Sequence, residues 1–303
     1  MLRQGFNSLS QNKGLRDFAV GNPLARRVAR RFVAGEEQGE AVDVIRDLNG
    51  HGLFATFDLL GENVSTVAEA HSTADAYVAL LDAIQAHGLK SNVSLKLTAM
   101  GLDLGEGVAY DNVCRILERA QSYGNFVRLD MEGSDYTDVT LAIFRRLWQQ
   151  YQNVGVVLQA YLYRTPHDVD EMIGLKARVR LCKGAYNEPP SLAFPAKADT
   201  DMQYAKLMCK LIERGIYPGI ATHDARLINL AKRFVAKQGI ALDRFEFQML
   251  YGIRTDLQTQ LVADGYHMRV YVPYGAQWYP YFMRRLAERP ANLVFILSNL
   301  FRR

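Results

Sequence analysis

The stretch Phe126-Val-Arg-Leu-Asp130, the helical pattern over Tyr136–Gln149 and the run Gly155-Val-Val-Leu-Gln-Ala160 together decide the fold. A short strand-forming run, a longer run of helical period and a second short run make one βαβ unit. The same alternation extends outward in both directions. Further candidate strands are Leu53–Asp58, Val93–Thr98, Val179–Lys183, Tyr217–His223, Phe245–Leu250 and Met268–Pro273. The helical patterns between them are Thr66–His87, Asn112–Ser122, Asp168–Leu175, Asp199–Arg214, Asp224–Lys237, Thr255–Asp264 and Gln277–Arg289. Thr66–His87 is apolar at Val67, Ala70, Ala74, Tyr77, Leu80, Leu81 and Ile84, and Asp, Ser or Thr often stands where a helix should begin. Eight units over roughly 240 residues match a (β/α)8 barrel and predict an α/β fold with a parallel sheet. A doubly wound open sheet has fewer strands and a glycine-rich first turn; here the first turn reads Asp58-Leu-Leu-Gly-Glu62. The expected division is an N-terminal helical segment over 1–50 and a catalytic barrel over 51–303, with the last helix over the barrel mouth.

With 303 residues, 49% hydrophobic and 22% charged, the chain is too apolar to be disordered and long enough for a large core. A net charge of +4 allows an anionic substrate or a membrane surface. Nucleic-acid binding would call for a concentrated basic patch, so none is expected. Cys114, Cys182 and Cys209 form no C-x-x-C, which predicts free thiols in a reducing compartment and no metal site. No run reaches the ~18 apolar residues of a membrane span. The N-terminus lacks the hydrophobic core of a secretory signal; its basic residues leave a transit peptide open, with Asp17 arguing against one. Leu24, Val28 and Phe32 share one helical face with arginines opposite, a packed helix with a solvated side or an anionic contact.

Active sites of such barrels lie at the carboxyl ends of the strands. There the sequence places Asp58, Lys96, Asp130, Gln159, Arg180 with Lys183, His223, Gln248 and Tyr271. Any one of these could cap a helix or pair within the core. Eight converging polar ends point instead to a site, because buried charge is costly unless paired or used. No H-E-x-x-H, G-x-S-x-G or P-loop occurs. Lys96 and Lys183 raise Schiff-base chemistry, whereas Arg180 beside Lys183 suggests an anionic cofactor or a substrate carboxylate. In the last helix, Gln277-Trp-Tyr-Pro-Tyr-Phe-Met-Arg-Arg-Leu-Ala-Glu-Arg289, Tyr281, Arg284, Arg285 and Glu288 share a face. Two arginines there could clamp a carboxylate or form an ordinary charged surface.

Several motifs resemble the proline dehydrogenase family. They are Asp58-Leu-Leu-Gly-Glu62, Ser94-Leu-Lys-Leu-Thr98, Arg128-Leu-Asp-Met-Glu132, Arg180-Leu-Cys-Lys-Gly-Ala-Tyr186, Ala221-Thr-His-Asp224, Phe247-Gln-Met-Leu-Tyr-Gly252 and Arg284-Arg-Leu-Ala-Glu-Arg289. The resemblance runs from about Phe32 to Arg289, in order, and the length is that of the monofunctional bacterial form. It implies a distorted (β/α)8 TIM barrel with extra N-terminal helices and non-covalent FAD. It also implies oxidation of L-proline to Δ1-pyrroline-5-carboxylate, with hydride passing from proline C5 to flavin N5 and electrons onward to a membrane quinone. By motif position, Arg284, Arg285 and Lys96 would grip the proline carboxylate, with Asp130 assisting beside Lys96. Tyr271, Tyr281, Leu250, Ala185 and Tyr186 would surround the ring. Glu62 would pair with Arg284 as a gate. FAD would rest on Asp130, Gln159, Arg180, Cys182, Lys183, Gly184, Ala185, Lys206, Thr222, His223, Gln248 and Glu288.

These roles suit the chemistry: holding the carboxylate at one edge aims the opposite ring carbon at the flavin, and charge near the reacting flavin edge tunes its electronics. Cys182 departs from the family's commoner small aliphatic residue, and the aromatic stretch Tyr274–Tyr279 has an unsettled register against the family. The apolar, basic-ended tail 292–303 fits packing against the barrel or contact with the inner face of the bacterial membrane, the protein being otherwise cytoplasmic. A borohydride-trappable lysine aldolase or decarboxylase and a non-catalytic anion-binding barrel are the alternatives. Oligomeric state is open, and crowding by Tyr281 predicts a preference for L-proline over 4-hydroxyproline.

Overall fold

Each strand-forming run pairs in parallel with the next, and the eighth returns to the first. The computed structural model describes residues 22–61 and 64–288, without the side chains of 23, 24 and 284–288. Its strands are β1 (Phe54–Leu59), β2 (Ser91–Leu95), β3 (Val127–Leu129), β4 (Val154–Gln159), β5 (Arg178–Cys182), β6 (Gly219–Ala221), β7 (Glu246–Leu250) and β8 (His267–Tyr274). They form a closed barrel in sequence order, sealed where Phe54–Leu59 pairs with Arg269–Tyr274. Helices α1 (Pro23–Ala29) and α2 (Gln38–Gly50) precede β1. The outer ring is α3 (Val67–Ala86), α4 (Glu106–Ser122), α5 (Thr137–Trp148), α6 (Thr165–Gly174), α7 (Lys197–Arg214), α8 (Ala225–Gln238) and α9 (Thr255–Ala263). Helix α10 (Trp278–Glu288) follows β8.

The local causes are visible in the sequence. Thr66 caps α3 by accepting from Glu69 N at 3.2 Å, and Ala70, Ala74, Tyr77, Leu80, Leu81 and Ile84 form its buried face. Three helices start earlier than their sequence pattern suggests, α7 by two residues, at Lys197 rather than Asp199. Helix α4 begins at Glu106, not Asn112; Asn112 is buried inside it and donates to Met100 O at 3.0 Å. Helix α6 begins at Thr165, not Asp168, because Pro166 in the first turn is already set for helical φ. Strands β2 and β6 end before Lys96 and His223, which occupy the turns that follow.

Alternation along the strands sorts the barrel's two faces. Val127, Leu129, Val179, Leu181, Phe247 and Met249 point outward into the apolar layer shared with the helices. The residues between them, Arg128, Arg180 and Gln248, point into the lumen with Ser94, Glu246, Arg269 and Tyr271, where they bond both to neighbouring strands and across the barrel. The lumen is therefore filled largely by polar side chains, unlike the branched aliphatic layers usual in this architecture.

At the mouth, Ala29, Phe32, Val33 and Leu60 pack with Trp278, Tyr279, Tyr281, Phe282 and Met283 of α10. Ala34 N donates to Pro273 O at 2.8 Å and Gly275 N to Gly35 O at 2.9 Å, tying the N-terminal segment to the β8–α10 connection. No helix among the described residues is long and apolar enough to cross a membrane.

Gly155 on β4 makes room for the lumen arginines. A Cβ there would lie 2.5 Å from Arg178 O, 2.6 Å from the Phe126 ring and 2.8 Å from Arg128 Nη1. Gly155→Ala should cost about 1–3 kcal/mol by overpacking. Chemical denaturation checks this, and an unchanged midpoint would contradict the packing.

Candidate active site

Arg180, on the all-but-buried inner face of β5, is the centre of the mouth. Its Nη1 donates to Asp130 Oδ1 at 2.6 Å and to Ser94 Oγ at 3.1 Å, and its Nε donates to Gln248 Oε1 at 2.5 Å. Tyr271 donates its hydroxyl to Asp130 Oδ2 at 2.7 Å, and the Arg180 guanidinium lies 5.1 Å from the Tyr271 ring centroid. The side chains of Arg180 and Asp130 are only 7% and 9% exposed. An ion pair so dry brings little net stability, since desolvation offsets much of the Coulomb gain. Its presence at a barrel mouth points to chemistry. Burial, reinforced by the Asp130 charge, pushes the Tyr271 phenol well above its ordinary value, so the ring keeps its proton.

Beside this cluster Lys96 Nζ donates to Asp58 Oδ1 at 3.1 Å. Asp58 is 1% exposed; burial raises its pKa, the Lys96 charge opposes the rise and the Asp130 charge adds to it. Tyr77 of α3 bridges the two strands by donating to Ser94 O at 2.9 Å and accepting from Leu59 N at 3.3 Å. Lys96 thus pairs with Asp58, and Asp130 bonds to Arg180, Ser94 and Tyr271.

A second cluster lies on the β5–β6 side. Lys183 Nζ donates to Asp201 Oδ1 at 2.5 Å and to Asp224 Oδ2 at 3.2 Å. Asp224 also caps α8 by accepting from Arg226 N at 3.1 Å. The Arg226 guanidinium, then Lys183, hold Asp224 well below the carboxylate range. Partial burial raises Asp201, but Lys183 and Lys197 outweigh it and the net shift is downward. Gln159 donates its amide to the carbonyls of Met131 and Glu132 at 3.2 and 3.1 Å, while its buried Oε1 has no partner. Glu132 in turn accepts from Thr98 N and Oγ1 at 3.1 and 2.7 Å. His223 Nε2 accepts from Leu250 N at 3.0 Å, which fixes the proton on Nδ1, and Thr222 Oγ1 accepts from Asp224 N at 3.1 Å.

The remaining expected residues are more scattered. Cys182 is partly buried, and burial lifts its thiol to about 12. Gly184 has φ +112°, and a Cβ there would stand 2.3 Å from the Tyr161 ring, so glycine is needed twice over. Ala185 and Tyr186 are exposed on the same loop, and Lys206 is exposed on α7. Tyr281 is buried on α10. Glu62 lies outside the described residues, as do the side chains of Arg284, Arg285 and Glu288, although α10 reaches Glu288.

Ser94, Glu132, Asp201 and Asp224 had no assigned role, nor did the lumen residues Arg128, Glu246 and Arg269. One signal was available: a charge such as Arg128 or Arg269 between two apolar strand residues implies a buried partner.

A closed (β/α)8 barrel with ionised and hydrogen-bonding groups gathered at the carboxyl ends of its strands is the layout of a barrel enzyme. Residues 41–297 match the family model described as proline dehydrogenase. The chain is 45% identical to proline dehydrogenase 1 of Bacillus subtilis subsp. natto over 303 residues, covering 100% of both. It is 44% identical to the proline dehydrogenase of Deinococcus radiodurans, covering 91% of this chain and 90% of that one. Among solved structures it is similar to proline utilization A from Bdellovibrio bacteriovorus, described as inactivated by N-propargylglycine. That match has a TM-score of 0.82 and 27% identity, and covers 91% of this chain but only 34% of the other. The chain belongs to the proline dehydrogenase family. Its activity is the oxidation of proline, the first step of proline catabolism, and dependence on a flavin is typical of the family.

The Lys183 cluster should show in acid. Carboxylates held below the ordinary value of 3.8 stabilise the fold above that pH, and the contribution is lost as pH falls through their lowered values. Lys183→Met should lower the melting temperature throughout the range above pH ~5 and fall less steeply in acid, so that the two curves converge as the carboxylates protonate. Melting temperature against pH checks this; no difference at pH ~7, or a difference that stays constant into acid, would contradict the ion pairs.

Proposed function

We propose that the chain oxidises L-proline to Δ1-pyrroline-5-carboxylate with non-covalent FAD in the barrel mouth, and delivers the electrons to a membrane quinone. The observation that carries this reading is the buried Arg180–Asp130–Tyr271 cluster at the strand ends. The donor set suits the cofactor. Gln159 offers a buried amide oxygen without a partner, and Lys183 adds a cation for an anionic group. Gly184 lets the backbone after β5 run close against Tyr161. Arg180, Gln159, Gln248, Lys183, Thr222 and His223 would hold the flavin nucleotide, with Asp130, Cys182, Gly184, Ala185, Lys206 and Glu288 around it. When bound, FAD would supply the two-electron acceptor for the hydride that proline loses at C5.

The chain's own groups do the rest. Arg284, Arg285 and Lys96 bind the carboxylate and so aim the opposite ring carbon at the acceptor, a positional effect. Tyr271 and Tyr281, with Leu250, Ala185 and Tyr186, wall the ring and exclude water. Asp58 holds Lys96, and Asp130 holds both Arg180 and Tyr271. Glu62 closes over the substrate by pairing with Arg284. Arg180 would set positive charge at the mouth, which favours an anionic reduced cofactor held there. The Schiff-base alternative is disfavoured because both lysine nitrogens are already engaged by carboxylates. Delivery to a quinone requires peripheral contact between a cytoplasmic protein and the membrane's inner face, and we assign it to the apolar, basic-ended tail 292–303, which lies outside the described residues.

Arg285→Met should leave flavin content intact and weaken use of L-proline by about 3–5 kcal/mol, on the order of 10²–10⁴ in kcat/KM, mostly through KM. Steady-state kinetics test this, and a near-normal KM would remove Arg285 from the site. With Tyr281 against the ring, kcat/KM for L-proline should exceed that for 4-hydroxyproline; equal or reversed values would contradict that placement.

A further inference from the structure

Arg180 is held from below by a chain of groups that runs from Gln248 down into the lumen. Gln248 Oε1 accepts from Arg180 Nε at 2.5 Å, and Gln248 Nε2 donates to Glu246 Oε1 at 2.5 Å. Glu246 Oε1 also accepts from Arg269 Nε at 2.7 Å, and Arg269 Nη1 donates to Ala55 O at 2.5 Å. Glu246 is 2% exposed and Gln248 3%. The amide stands between a guanidinium, which can only donate, and a carboxylate, which can only accept. One of its two orientations satisfies both neighbours. The other faces N–H against N–H and oxygen against oxygen. Glu246 stays ionised in this setting: burial raises it, but Arg269, assisted by Gln248 and Arg128, brings it below the ordinary value. Strand β6 makes room for the arrangement, since a Cβ on Gly219 would lie 2.4 Å from Gln248 Nε2.

We propose that Glu246 is a positioning residue for proline oxidation: it locks the Gln248 amide with its oxygen toward Arg180, and so sets the guanidinium at the barrel mouth. This rests on the reading above that Arg180 borders the flavin. Arg128, Arg269 and Glu246 are then the foundation of the site, which accounts for three buried charges that otherwise have no use.

The test uses FAD-loaded protein and two readouts, kcat/KM for L-proline and the flavin midpoint potential. Removing a buried negative charge, by itself, raises the potential. Loosening Arg180 lowers it, because less positive charge then stabilises the reduced flavin. Glu246→Gln should lower kcat/KM about tenfold, the scale of one weakened charge-assisted hydrogen bond, and should lower the potential. Gly219→Ala displaces the same amide without altering charge and should act in the same direction; it decides the matter if Glu246→Gln does not fold. Gln248→Leu should mask the first variant, so that the double variant is no worse than Gln248→Leu alone. Folded variants with unchanged kcat/KM, a raised potential in Glu246→Gln, or effects that multiply in the double variant would each overturn the proposal. Arg180→Met separates the two levels. If it changes both readouts while the Glu246 and Gly219 variants do not, only the positioning role falls. If Arg180→Met changes neither, the placement of Arg180 at the flavin falls, and the role of Glu246 with it.

Discussion

The pairing of Arg180 with Asp130, 2.6 Å apart and almost sealed from water, is the contact on which the site is built. Taking two charges this far out of water is costly unless hydrogen bonds from neighbouring groups replace part of the lost hydration. Around this pair Ser94 Oγ and Gln248 Oε1 accept from Arg180 Nη1 and Nε, and Tyr271 donates to the second carboxylate oxygen. Strands β2, β3, β5, β7 and β8 each contribute one member, so the closed barrel is what brings the set together. Loss of one member leaves a buried charge short of a partner, a far larger penalty than the net value of the intact pair.

The polar lumen follows from that demand. Aliphatic layers would pack more cheaply beneath the mouth. This chain instead carries Arg128, Arg269 and Glu246 there, with Gly155 and Gly219 giving up side chains to accommodate them. Stability is obtained on the outer face, where Phe57, Leu95, Phe247 and their neighbours pack without polar interruption against the helices. The two faces of each strand therefore serve different ends, one holding the fold and the other holding charges in fixed directions.

Much of this was legible in the sequence because periodicity is local. All eight strands could be read, since each run is short, apolar and followed by a helical stretch. The polar strand ends could also be read, because only one end of a barrel strand faces the site. Partners could not. Lys96 and Asp58 are 38 positions apart, and Arg180 and Asp130 are 50 apart; only barrel closure makes them neighbours. Asp224 reads as a helix cap and is one, yet it also holds Lys183. Asn112 and Asp168 have the composition of helix starts but lie inside their helices, Asn112 bonded to the Met100 carbonyl and Asp168 to the half-buried Arg164. The family resemblance supplied roles that spacing could not, above all for Arg284 and Arg285.

The central claim is that this mouth holds a flavin and presents proline to it. The most direct measurement is the visible spectrum of the purified protein, reconstituted with FAD if necessary, before and after anaerobic L-proline. The account predicts flavin bands that bleach with L-proline and persist with D-proline or alanine. A protein that takes up no flavin, or a bound flavin that stays oxidised in excess L-proline, would contradict it.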